Sequence, residues 1–315
     1  MSTLNRLTVL PEPDTEDRPF FAVFVSIGSE SRCINFASKS FTASERTAYI
    51  YEKDPGARFP EHRSAIGKLG FSELPSESAD LRSYVKELLA RCSKQGDGRR
   101  RLAVDVSSMT RELMAIWTYA LLDSPVEREV EVEFIYSHAN FSPPPSKVPL
   151  AKSLSSITPE FAGMFADSTA PIMLILGLGY EPQLALSFVE YLEPAKLLVF
   201  EPAHHDRKYT AAIREKNDVF FRVIRDAPVK RYNVFSPYTL FQDVESAIQG
   251  ASIDHRVHIA PYGVKLFAIC SLIAAALHYP RIFVWNLKSI PLDNDHDRVA
   301  SGVISRLVVN VAPRT

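Results

Sequence analysis

The chain has 315 residues, 46% of them hydrophobic, which is enough for one large or two ordinary domains with real cores. Lys plus Arg (36) almost cancels Asp plus Glu (37), so no overall field draws the chain to nucleic acid or an anionic membrane; any anion site has to be local. Cys33, Cys92 and Cys270 are far apart and lack CxxC spacing, which argues against a disulfide framework or zinc site and fits a reduced, cytoplasmic setting.

Residues 1–18 are rich in Pro and acids and read as a flexible lead-in, with none of the apolar run of a signal peptide. FFAVFVSIGSE then reads as a buried strand ending in a Gly turn, TAYIYEKD as a second strand, and ADLRSYVKELLARCSKQ as an amphipathic helix. RRRLAVDVSS is a charged lead into a third strand, with Arg99 to Arg101 expected on a solvated loop. A long apolar helix and the strand EVEVEFIYSHANF complete a first unit over 19–142. Three consecutive prolines in FSPPPSKVP mark a linker, placed at 143–168.

The order then recurs over 169–315. PIMLILGLGYEP is a strand with a glycine turn, LALSFVEYL a helix, AKLLVFEP a strand, and HHDRKYTAAIREKN and YTLFQDVESAIQ are helices. HRVHIAPYG is a strand and turn, LFAICSLIAAAL a buried helix too short to span a bilayer, and RIFVWNL a strand. VASGVISRLVVNVAPRT is expected as a last strand. Strands alternating with helices predict an α/β protein of two Rossmann-like, doubly wound parallel-sheet units.

Matched landmarks point to an internal duplication. Gly28 falls on Gly179, Glu30 on Glu181, Glu52 on Glu201, and Arg111 on Lys265, each of the last pair opening a long apolar helix. In an open parallel sheet, ligands sit beyond the carboxyl ends of the strands, where helix N-termini favour anions. In DVSSMTR, Ser107, Ser108 and Thr110 offer hydrogen bonds and Arg111 a bidentate fork suited to phosphate; Gly263 and Lys265 are the counterparts in the second half. The bland alternative is that Ser107 or Ser108 caps the helix, Asp105 anchors the turn, and both cations pair with surface carboxylates.

GLGYEP also resembles the start of a dinucleotide fingerprint at Gly177 and Gly179, with Glu201 where a ribose-binding acid would sit, although Pro182 replaces the third glycine. The same outline would serve S-adenosylmethionine. Glu30 and Glu181 could repel a phosphate, hold ribose hydroxyls or bind a metal. His204, His205 and Asp206 read as a helix cap rather than a metal site, and DNDHDR at 293–298 as a surface turn. No GxSxG, HExxH or P-loop motif occurs, and no cofactor follows from the residues.

SSMTR before a buried helix, and again PYGVK, resemble the CRISPR-associated Rossmann fold sensor domains. There a Thr/Ser and Gly turn with a following Lys or Arg, after the fourth strand, binds a cyclic oligonucleotide, and the first-strand turn completes the pocket. Here Met109 stands where glycine is usual, and Pro261-Tyr262 replaces Thr-Gly. The resemblance implies that Ser26, Gly28, Ser108, Thr110 and Arg111, with Gly177, Gly179, Tyr262, Gly263 and Lys265, would face the ligand. It also implies dimeric action, or its equivalent within one duplicated chain, and a setting in prokaryotic antiviral defence; the family's sensors carry an attached effector, and as the two units leave no room for one, a separate effector protein is expected here. The expected function is therefore a nucleotide-sensing module. The alternative is a Rossmann-like enzyme, either a nucleotide phosphodiesterase or ring nuclease, or an S-adenosylmethionine-dependent methyltransferase.

Overall fold

The computed structural model describes residues 4–11, 18–51, 58–75, 81–96, 100–144, 151–251, 253–289 and 297–313. In chain order, the first half contains β1 (Arg6–Leu10), β2 (Phe20–Ile27), a 3-10 turn (Ser31–Ile34), β3 (Ala43–Ile50), α1 (Phe59–Lys68) and β4 (Ser72–Pro75). It continues through α2 (Leu81–Ser93), β5 (Arg101–Asp105), α3 (Arg111–Asp123) and β6 (Val130–Ala139). There follow β7 (Ala151–Ser156), β8 (Ile172–Gly177), α4 (Pro182–Leu192), β9 (Lys196–Ala203), α5 (Arg207–Lys216), α6 (Asp218–Ile224) and β10 (Val229–Asn233). The remainder is α7 (Pro237–Ala251), β11 (Arg256–Ala260), α8 (Lys265–Leu277), β12 (Phe283–Ser289) and β13 (Ala300–Ala312).

Two compact units result, one from residues 1–140 with 295–315 and one from 141–294. Their parallel strands repeat one order. The first sheet runs β4-β3-β2-β5-β6 and the second β10-β9-β8-β11-β12, which is third-second-first-fourth-fifth in both. Each fifth strand also carries an antiparallel neighbour, β13 beside β6 and β7 beside β12. The two Rossmann-like units expected from the sequence are thus present, and they share a topology.

The first parallel strand of each unit, β2 or β8, is almost wholly apolar because both faces are covered. All eight residues of β2 are buried. Val23, Val25 and Ile27 pack on Cys33, Phe36 and Ile66, while Phe24 meets Trp117 of α3 at 5.0 Å and Tyr84 of α2 at 6.1 Å. In the second unit Leu174, Leu176 and Val199 pack on Leu184, Phe188, Ile213 and Phe220; Phe200 meets Phe267 of α8 at 5.2 Å on the opposite face. α8 buries eleven of its thirteen residues, hence its apolar run.

Several expectations need correction. β4, α1 and β10 went unrecognised, so RRRLAVDV is the fourth parallel strand of its unit, not the third. Both missed strands are short edge strands with little apolar signal. The lead-in is not wholly unstructured: Arg6–Leu10 pairs antiparallel with β13, burying Leu7 and Val9 on alternate positions. The linker span contains β7. The C-terminal strand, expected in the second unit, lies in the first sheet between β1 and β6, where Leu307, Val309 and Val311 are buried. Arg101 is no solvated residue either. It is 2% exposed and ion-paired with Glu131 at 2.8 Å and with the fully buried Glu133. Burial pushes the Glu133 carboxyl up against the opposing pull of Arg101. Glu52 lies outside the described residues.

Candidate functional site

Both units present their turns at the carboxyl edge of the parallel strands, where α/β folds bind ligands. In the first unit the Gly28 carbonyl accepts from His62 Nδ1 of α1 at 2.9 Å and from Cys33 Sγ at 3.7 Å, which fixes the turn after β2. Glu30 is an ion-pair partner of Arg32 at 2.7 Å and Arg298 at 3.6 Å. Arg32 is 1% exposed and donates to the Tyr136 hydroxyl at 3.0 Å. Ser31 donates its N–H and its hydroxyl to the two carboxylate oxygens of Asp297, at 2.7 and 2.6 Å, and Arg58 pairs with the same carboxylate. Burial opposes ionisation of Asp297, but the Ser31 hydrogen bonds and the Arg58 charge outweigh it and hold the carboxyl below its ordinary value. Of the DNDHDR segment, Asp297 therefore seats on the first-strand turn, while Arg298 stays exposed.

The loop between β5 and α3 is built from its own polar residues. Asp105 Oδ1 accepts from the Ser107 N–H at 2.8 Å, and Ser107 Oγ accepts from the Ser137 N–H at 2.8 Å. Thr110 Oγ1 accepts from the Leu113 N–H at 3.2 Å and caps α3, while its own N–H donates to the Tyr51 hydroxyl at 3.0 Å. Met109 is fully buried, so it anchors the loop in the core. Asp105, Ser107 and Thr110 thus have structural roles. Ser26 is buried beside Tyr51, whose hydroxyl burial pushes up to about 12. Ser108 Oγ is buried with no hydrogen-bond partner among the described residues, and Arg111, half-buried, is the first residue of α3.

In the second unit the glycines are explained by close approach of the two turns. A Cβ on Gly177 would lie 2.3 Å from the Phe267 ring and 2.4 Å from the Tyr262 carbonyl oxygen. One on Gly179 would lie 3.0 Å from Gly263 Cα. Gly263 has φ +76°, and its Cβ would lie 2.2 Å from the Leu178 carbonyl oxygen. Tyr262 is held by β12: its hydroxyl donates to the Leu287 carbonyl and accepts from the Leu287 N–H, each at 2.7 Å. Lys265 opens α8, whose N-cap Val264 provides no side-chain acceptor for the first turn.

Glu201 does not stand open to ribose hydroxyls. It is fully buried, accepts from Arg214 Nε at 2.7 Å and Nη2 at 3.0 Å, and from Arg231 Nε at 2.9 Å. Burial raises its pKa, but the hydrogen bonds and charges of the two arginines prevail and hold it ionised. Asn217 Nδ2 donates to the Gly179 carbonyl at 2.8 Å, tying the α5–α6 junction to the first-strand turn. His204 Nδ1 accepts from the Asp206 N–H at 3.0 Å and Asp206 caps α5. Among the described residues no group of three or more His, Cys, Asp or Glu is placed to hold a metal.

The structure gathers Ser26, Gly28, Asp105, Ser107, Ser108, Thr110 and Arg111 at one edge of the first sheet. Gly177, Gly179, Glu201, Tyr262, Gly263 and Lys265 meet the corresponding edge of the second. Sequence reasoning missed Tyr51, Arg32, Asp297, Asn217, Arg214 and Arg231. Only Arg214 and Arg231 left a signal, in the basic run from Arg207 to Arg231. Compared with known proteins, the chain matches no protein-family model and no curated protein. No helix of the described residues is long and apolar enough to cross a membrane.

Proposed function

We propose that the chain is a nucleotide-sensing module that binds a phosphate-bearing ligand at the carboxyl edges of its parallel sheets and signals to a separate effector protein. The observation that carries this reading is the repeated junction after the fourth strand. In each unit, a buried helix opens on a cation, Arg111 or Lys265, next to a helix N-terminus that favours an anion. In the first unit the buried Ser108 hydroxyl adds a polar group whose desolvation, about 1–3 kcal/mol, a ligand hydrogen bond would offset. The cyclic form of the ligand and the defence setting rest on the resemblance of SSMTR and PYGVK to the sensor family, and the cytoplasmic setting on three free, buried cysteines.

The competing enzyme reading has less behind it, because Gly177, Gly179 and Gly263 are required by packing and both Glu201 oxygens are held by arginines. Mass spectrometry of the purified chain under native and then denaturing conditions tests both. A co-purified nucleotide or oligonucleotide, with lower occupancy in Arg111→Ala and Lys265→Ala, is the expected result. A bound S-adenosylmethionine or nicotinamide dinucleotide would transfer the case to the enzyme. Occupancy unchanged by both substitutions would remove the junctions as the site.

A further inference from the structure

The segment Arg207 to Arg231 carries eight Lys and Arg against three Asp and Glu, a net charge of +5 within a chain whose net charge is −1. It covers α5, α6 and most of β10. Some of this charge is matched locally, Arg222 by Asp218 and Lys230 by Asp243 at 2.7 Å. Arg214 and Arg231 are different. Their side chains are 49% and 55% exposed, yet both converge on one fully buried carboxylate, Glu201. Arg214 Nη2 and Arg231 Nε bond the same oxygen, at 3.0 and 2.9 Å, so these nitrogens lie within about 6 Å of one another. One carboxylate offsets one of the two charges, and the remaining positive charge sits on two guanidinium groups already held in place. That pre-ordering lowers the entropy cost of gripping an anion.

Beyond the arginines stands a ring cluster. Glu201 pairs with Arg231 and Ala203 with Asn233 in the β9–β10 register. Four residues beyond Glu201 and Arg231, at most about 13 Å along the chain, lie His205 after β9 and Phe235 after β10, with His204 just before His205. His204 stacks on Tyr209 at 4.1 Å, and the exposed His205 lies over the half-buried Phe235 at 4.8 Å. Charge followed along the chain by aromatic surface is the order of phosphate and base in a nucleotide.

We propose that the second unit holds a nucleotide subsite at the ends of β9 and β10, with Arg214 and Arg231 on the phosphate and His205 and Phe235 against the base. This rests on the nucleotide reading above but on different residues, so the two fail separately. The full chain would be titrated calorimetrically at low ionic strength with adenosine 5′-monophosphate, adenosine and inorganic phosphate. The monophosphate should bind more tightly than either fragment. Arg231→Gln should weaken it about tenfold, the loss of a charge-assisted hydrogen bond. Phe235→Leu should weaken the monophosphate and leave inorganic phosphate unchanged, which also guards against a folding defect in the arginine variant. Absence of saturable monophosphate binding, or equal affinity in wild type and Arg231→Gln, overturns the subsite. Sensitivity to Arg111→Ala or Lys265→Ala without sensitivity to Arg231→Gln would overturn the subsite and leave the junction reading standing.

Discussion

Acidification should unfold the second unit through His258. This residue sits in the middle of β11, 5% exposed, sandwiched between Phe165 at 5.4 Å and Phe283 at 5.2 Å with both rings nearly parallel to its own. Its Nδ1 accepts from Trp285 Nε1 at 2.9 Å, which places the proton of the neutral ring on Nε2. Burial, assisted by the Arg256 charge, pushes the imidazole down from 6.5 to about 4. In the unfolded chain it titrates at its ordinary value, so protons bind the unfolded state first. The stability tied to neutral His258 is complete above pH 6.5 and is lost as pH falls from 6.5 towards 4. At about 1.4 kcal/mol per unit, the full loss is about 3 kcal/mol and the loss by pH 5 about 2 kcal/mol. Trp285 touches His258 and Trp117 belongs to the other unit, so fluorescence-detected urea unfolding in a Trp117→Phe background reads the second unit. His258→Gln should be weaker at pH 7 but should lose about 2 kcal/mol less than its parent between pH 7 and 5. An equal loss in both proteins would refute the assignment, since other carboxylates would then carry the acid sensitivity.

Gly263→Ala meets a carbonyl at 2.2 Å from a positive-φ backbone and should cost more than about 2 kcal/mol; Gly250→Ala, in open space near the end of α7, should leave the melting temperature unchanged or slightly raised. Arg101→Met would leave the buried Glu133 with Arg306, 3.9 Å away, in place of its close partner and destabilise the first unit by about 3 kcal/mol in denaturant titrations, whereas a loss under 1 kcal/mol would mean the pair is solvated. Asp297→Ala removes the acceptor for both Ser31 donors, so amide exchange at residues 31–33 should accelerate; unchanged protection would show that the backbone bonds from Arg32 to Arg298 and from Cys33 to Glu30 hold this turn without it.

Much of the candidate site could be located before any coordinates. The apolar strand ahead of Asp105, the cap residue Thr110 and the apolar helix behind it sit side by side in the chain, so their order predicts a strand–turn–helix junction. What each polar residue does there depends on partners far away. Thr110 meets Tyr51, Ser107 meets Ser137, and Ser31 meets Asp297, 266 residues distant. Glu201 is the sharpest case. At the end of a second strand it has the position of a ribose-binding acid, but Arg214 and Arg231, 13 and 30 residues on, convert it into a holder of cations.

The sequence by itself determined the α/β class, the two units and the place of their glycine and cation-bearing turns, because periodicity, caps and breakers act between neighbours a few residues apart. Tertiary structure alone decided the common strand order, the return of β13 to the first sheet and the use of the second-unit glycines for packing. Those outcomes come from hydrogen-bonding edges and close contacts between distant segments. An apolar alternation such as that of β13 fits any exposed edge of suitable register; only the folded chain brings it to β6.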